Sequence, residues 1–589
     1  LSAQAHWQWS GEQLAVQVKK ISFANADAQG EAQLSWQTSD PAKSASHSRF
    51  PGVLDLQAHL SRAEGRRVYR YLPLVIDQEA RDYVRDAVQA GTASNVQFTI
   101  RGDIDELPVI DPRRGAFKIS ADVRNAKLTY VPRSLQASGD LPWPSLSELS
   151  CDLLIDRLQL HVKNSRALLG DTGALQVPRV QASIADLNHT QVNVDGEIKG
   201  PLSDMLAVVK RSPLADLTDQ ALSRAVMSGN ATLGLKLELP VTQIAKSTVK
   251  GSIALAGNDV QMAPQTPRMT RAKGTVNFTQ DSLSLVGVQA RLLGGDARLE
   301  GGLQFVPERG RAGPSAIRIS GSATADGLRQ ASELGLVARL ARQATGTSAY
   351  TATLGLRRGE LELLIASSLQ GMALDLPAPF KKDAASAMPL RIQTALLPQR
   401  GTSTVVQDRL SVSIDKQFSA VYERDLSAAG VQVLRGWVVV GSEAQNRGDL
   451  PLQGVSANIR QPQINLDAWS AALSDATGMS LGGMAATSGA SYLPDRVNLQ
   501  TDTLNFGGRN YHRVQLGASR QGPLWRVNLD ASELNGYLEY RQASDAAASA
   551  ARVFARLTRL SIPASSEQEV EDWLDVAPTS IPALDIVVD

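Results

Sequence analysis

From Leu233 to Leu239 the chain reads LGLKLEL, a leucine at every odd position with Gly234, Lys236 and Glu238 between them. Successive side chains of a strand point to opposite faces, so this spelling gives a strand with one dry face and one wet face. The pattern recurs. In AFKISADV, Phe117, Ile119, Ala121 and Val123 share a face, and in WRVNLDA, Trp525, Val527, Leu529 and Ala531 do. In SSLQGMALDLPAPFKK, residues 367–382, Met372, Leu374 and Leu376 form such a face before two prolines stop the strand and two lysines follow. Short spacing and glycine punctuation, as at Gly294-Gly295 and Asn535-Gly536, read as tight turns between neighbouring strands. Half-wet strands joined by short turns predict a mainly β, antiparallel sheet.

Helical periodicity is sparse. The spacing predicts helices from Asp77 to about Gly91, from Pro201 through Val209, from Leu214 to Met227, over 327–346, and near Glu567–Leu574. They are too scattered to alternate with strands as βαβ units, so they read as short braces on the sheet. Breaks rich in proline or small residues lie near 41–52, 306–315, 377–388 and 474–490. They suggest an N-terminal part over 1–310 and a C-terminal part over 311–589 of one elongated architecture, with approximate boundaries.

The 589 residues exceed what one compact core accommodates. Sixty Lys and Arg against 59 Asp and Glu leave a formal charge of +1, without the basic excess of a nucleic-acid binder. One cysteine, Cys151, excludes an internal disulfide and a cysteine-based zinc site. No apolar run approaches the roughly 18 residues of a membrane helix, and the longest, such as GWVVVG at 436–441, are strand-sized. No signal peptide is visible, and a chain opening on Leu1 is expected to be processed or partial, with any membrane anchor outside it.

The chemistry of sites is not spelled out. His6, His47, His59, His161, His189 and His512 show no ligand spacing. In DIDELPVID, from Asp103, the positions an EF-hand needs as Gly and Glu hold Pro108 and Arg114. LLGGDARLEGG, from Leu292, lacks the phosphate-loop spacing, and no nucleophile elbow or HExxH is present. We therefore expect no enzyme activity, no catalytic residue, no cofactor and no metal.

An ordered set of short signatures remains. FPG (50–52), YLP (71–73), RGDIDELP (101–108), GAF, LTY and WP come first. VDGEIKGPLSDML (194–206), SPL (212–214), LLGG (292–295) and the 367–382 stretch with its sequel MPLRI (388–392) follow. FGGRNY (506–511) and ELNGYLEY (533–540) close the set. Together they resemble the YhdP family, within the AsmA-like and TamB group of bacterial envelope proteins. Leu107 stands where that family usually has an aromatic residue, Tyr83 where it often has Trp, and the segment from Tyr130 to Trp143 is longer. The resemblance implies a long, curved antiparallel β-groove in the periplasm, anchored in the inner membrane by a segment not in this chain. It further implies carriage of phospholipid toward an outer-membrane partner.

On that reading the groove candidates are Phe117, Ile119, Val123, Leu233, Leu235, Leu237, Leu239, Met372, Leu374, Leu376, Trp525, Val527 and Leu529, with Lys381 and Lys382 in water at the rim. Phospholipid acyl chains are the expected partner, and nucleic acid is not. Alternation alone favours an ordinary filled sandwich over a groove, because both spell the same pattern; the resemblance reverses that order. Two other readings stay open. One is a TamB-like assembly factor offering a sheet edge to outer-membrane β-proteins, and the other is a passive envelope scaffold.

Overall fold

A computed structural model describes the chain apart from residues 45, 75, 171, 218–221, 241–245, 265, 305–315, 358–359, 399–405, 427–430, 442–448, 478–491, 523, 542–551, 562–582 and 589. The described residues form 31 strands and six short α-helices. Pairing is antiparallel nearly throughout, as the half-wet alternation requires. Two units divide the chain, Leu1–Pro264 with Thr270–Val288, and Gln265–Met269 with Gln289–Asp589. The division falls about twenty residues before the break read from the sequence near 310.

In the first unit, sequential strands pair as a meander from Ser2–Ser10 to Leu175–Ile184 and Gln191–Pro201. The strand Asn230–Pro240 lies between Gln191–Pro201 and Thr248–Gln261. The second unit repeats the scheme from Gly294–Gln304 onward. It departs from simple hairpins in two places, one of them the parallel pairing of Arg552–Leu560 with Ala583–Val588. In the other, Gly454–Asn465 runs parallel to both its neighbours, Gln432–Gly441 and Arg496–Phe506. A parallel pair needs a crossover, and the helix Leu466–Thr477 lies within the second of these connections. The sequence reading missed this helix and the βαβ unit it makes. Asn465 starts it, its side-chain oxygen accepting from the Ala468 amide at 2.8 Å.

Helix limits also differ from the periodicity. The first helix is Gln78–Ala87, with Asp77 accepting from the Ala80 amide. Val88 and Gly91 belong to the following strand, Val88–Asp103, because pairing with Ala116–Leu128 captures the backbone earlier than the apolar spacing suggests. Leu202–Lys210 agrees with the reading. The next helix covers only Leu214–Leu217, and Met227 sits in the short strand Val226–Ser228. The stretch 327–346 is split into Ala325–Gln330 and Leu336–Leu340, with Gly335 in a left-handed conformation between them. The helix read near Glu567–Leu574 lies outside the described residues. Asn535-Gly536 is no turn either. It sits inside the strand Leu534–Arg541, at a register shift opposite Leu557 and Arg559.

Candidate functional site

Residues directly across a ladder share a face, so register converts alternation along strands into lines across them. In the first unit Ile21 faces Ala32, Ala32 faces Ala58, and Ala58 faces Phe98. Phe98 faces Ile119, which faces Ile155. The line continues through Leu160, Ile184 and Val192 to Leu239. No polar side chain interrupts it. Beside it runs a second line from Ala121 through Leu153, Val162 and Ala182 to Val194, Leu237 and Val249. Leu235 lies between Gly196 and Gly251, and Leu233 between Ile198 and Ile253. Phe117 faces Ile100, and Val123 faces Cys151. The structure thus brings all seven candidates of this unit onto one face.

That face is apolar but not sealed. Each residue from Ile21 to Leu239 along the first line is half-buried, and none is buried. The reverse face is polar and wet. There Gln33 and Gln57 share a hydrogen bond of 3.0 Å, and Lys20 pairs with Glu31 at 2.8 Å.

The second unit has its own line. Leu299 faces Ile319, then come Ala352, Ile365, Ile392 and Val412. Ala420 and Val438 lead into the parallel strands at Ala457 and Val497. Ala518, Val527, Leu538, Ala555 and Ile586 complete it. The line passes from antiparallel to parallel pairing without losing its face. Leu299 and the alanines at 352, 420, 457 and 555 are buried, whereas the branched residues Ile319, Ile365, Ile392, Val412, Val438 and Val497 are half-buried. Small side chains lie below the reach of their larger neighbours, which keep accessible surface. Leu529 borders the line from inside a cluster with Leu499, Val514 and Ala531. Trp525 shares the face and holds the Arg520 guanidinium 5.7 Å from its ring centre.

Charge marks the margin of this face. Counting by twos from Val412 and Ala420 passes Leu410 and Tyr422 and reaches Asp408 and Arg424. Asp408 is buried, and its carboxylate accepts from Arg424 Nε at 2.9 Å and Nη2 at 2.5 Å. Arg424 Nη1 also donates to Tyr492 Oη at 3.2 Å. Burial, with Tyr492 nearby, pushes the Tyr422 hydroxyl up to about 12. On the opposite face Glu423 is buried between Arg409 at 2.7 Å and Arg435 at 2.6 Å. Burial raises its carboxyl, but the bonds from Arg409 and Arg435 outweigh this and hold it below the ordinary value.

The stretch 367–382 is built differently from its reading. Met372 is 2% exposed and packs with Ala325 and Ala344, with Leu328 and Leu374 around them. Leu376 is buried too. The helix Ala325–Gln330 therefore covers this end, and Met372 and Leu376 do not lie on open surface. Lys382 corrects the expectation of a solvated rim lysine. It is buried, and its Nζ donates to the carbonyls of Leu369, Met372 and Asp383 at 2.9, 2.5 and 2.9 Å. Lys381 stays exposed and pairs with Asp375 at 3.1 Å.

What fold and face define is an open, mainly antiparallel sheet protein with an aliphatic face across successive strands of each unit. The chain matches the family model described as YhdP protein over residues 1–589, and it belongs to that family of AsmA-like envelope proteins. No curated protein and no solved structure matches it. Among the described residues no helix is long and apolar enough to cross a membrane.

Proposed function

We propose that the chain is a non-catalytic carrier that shelters phospholipid acyl chains on its aliphatic lines, as part of a periplasmic path between the inner and outer membranes. One observation carries the reading. The lines are continuous in register, yet their larger side chains are half-buried rather than sealed under a second layer. A filled sandwich core would bury them. Bringing a lipid of roughly thirty methylenes bare into water costs on the order of 24 kcal/mol at about 0.8 kcal/mol per CH₂. An uninterrupted apolar line removes most of that cost at each position, while the headgroup stays in water. Membership of an envelope family and the apolar face support the same reading.

The test is a photo-crosslinking amino acid at position 235 and, separately, at 236, in folded protein inside cells. Leu235 is half-buried on the apolar face, and Lys236 is exposed on the other, 3.4 Å from Asp195. Lipid adducts are expected at 235 and not at 236. Equal labelling at both, or none at either with the fold intact, refutes the assignment.

A further inference from the structure

We infer that the polar face of the second unit holds a binding site for a neutral oligosaccharide, on the opposite side of the sheet from the aliphatic line. A concavity of about 860 Å³ opens there across the strands from Gln432–Gly441 to Arg552–Leu560. Six carboxamides stand among its lining residues: Asn458, Asn498, Gln500, Gln515, Asn528 and Asn535. Each carries both donors and an acceptor, the equipment that binds adjacent hydroxyls.

Register sets these groups in two rows. Asn458 faces Asn498, Asn498 faces Gly517, and Gly517 faces Asn528, which faces Tyr537. The adjoining row runs Arg460, Gln500, Gln515, Asp530 and Asn535. Much of the polar capacity is unspent. Asn498 donates to Asn458 at 3.1 Å, and Gln500 accepts from Arg460 at 2.6 Å. Among the described residues, Gln515 and Asn528 make no side-chain hydrogen bond within the chain.

Gly517 is the telling residue. A mid-strand glycine weakens a strand unless backbone geometry or a close approach requires it. Neither does here. Its φ is not positive, and a Cβ built on it would meet only the Asn498 side-chain oxygen, at 3.8 Å. What the missing side chain leaves is a slot between Asn498 and Asn528, two strand spacings or about 10 Å across. The slot has an amide on each wall, with Tyr537 on the strand beyond Asn528. A flat polyhydroxylated ring fits that shape and that chemistry: amides for its hydroxyls, an aromatic face for its C–H surface. The lining charges, Arg460 and Arg556 against Asp530, leave no strong field to select a polyanion.

The inference does not depend on lipid carriage, because Asn528 points away from Val527 and Leu529. The test titrates the intact chain with maltohexaose and with chitohexaose, by calorimetry and saturation-transfer NMR. Binding of at least one is expected. Gly517→Val, which fills the slot with a β-compatible side chain, should weaken it at least about tenfold. Asn528→Ala should weaken it similarly. Circular dichroism and co-purifying lipid should not change in either variant. No binding of either sugar at millimolar concentration overturns the inference. So does binding that Gly517→Val leaves untouched, or binding of a Gly-Ser heptapeptide in preference to both sugars. A chain that binds sugar but carries no lipid leaves this site standing and refutes the carrier reading instead.

Discussion

The Lys382 ammonium donates to the carbonyl oxygen of Met372 at 2.5 Å, fastening the end of the short strand Met372–Leu374 to the chain that returns past it. Two more carbonyls, of Leu369 and Asp383, complete the cradle. One charged group thus gathers three backbone acceptors, of which the Leu369 and Asp383 carbonyls also accept from the amides of Met372 and Ser386.

Lys382→Met should therefore destabilise the second unit by roughly 2–4 kcal/mol, since it removes three hydrogen bonds from one charged donor while keeping the volume filled. Lys381→Met, which removes only an exposed pair with Asp375, should shift stability by less than about 1 kcal/mol. Urea unfolding of both variants gives the comparison. Equal midpoints would remove the fastening role.

At the margin of the aliphatic face, Asp408→Asn should cost about 3–5 kcal/mol, because it strands the Arg424 guanidinium in a buried position. Replacing both partners together, Asp408→Leu with Arg424→Met, should recover much of the loss. Thermal unfolding of the single and double variants measures the coupling. A double variant no better than the single would point to the bond with Tyr492 instead.

Acid should loosen the same region through Glu423. Burial works against its carboxylate, and the bonds from Arg409 and Arg435 more than compensate, so its folded value lies below 4.5. A depressed carboxyl stabilises fully above its unfolded value and loses that stabilisation as pH falls through the folded one. Stability should thus fall on acidification below about pH 4.5. Glu423→Gln should flatten that fall while lowering stability at neutral pH. An unchanged acid slope in the variant would place the sensitive group elsewhere.

On the aliphatic line, Ile392→Glu introduces a charge between Ile365 and Val412. The position is half-buried, so the chain should fold with a loss of about 1–3 kcal/mol, while co-purifying lipid falls severalfold. Arg391→Glu, exposed on the other face, should leave lipid unchanged. Lipid analysis by mass spectrometry, with circular dichroism on the same samples, separates the two. Unfolding by Ile392→Glu with lipid undiminished in the folded fraction would mark the line as ordinary core.

Alternation made the strands legible, because period two depends only on neighbours along the chain. Leu233 to Leu239 and Phe117 to Val123 could be assigned a face from spelling alone. Which strand lies beside which could not, since partners such as Ile119 and Ile155 are set by hairpin length and by the bulges that shift register near Val123. The parallel turn-over at Gly454–Asn465 was hidden for the same reason, as parallel and antiparallel strands alternate alike. Lys382 was misread because lysine spelling signals water, and only the fold supplies three carbonyls close enough to hold it. Gly517 had a weak signal, an isolated glycine inside an alternating strand.

The uniformity of the aliphatic lines has a kinetic consequence. Apart from Phe98, every strand of the two lines offers nearly the same grip, one alanine, valine, leucine or isoleucine, at a repeat of about 4.8 Å. An apolar occupant moving by one strand gives up contacts and regains equivalent ones, so its free-energy profile along the line is shallow and nearly level. Motion on such a surface is one-dimensional diffusion with short dwell times and no built-in preference for either end. If lipid rides these lines as proposed, net flux would follow the difference in chemical potential between the two ends.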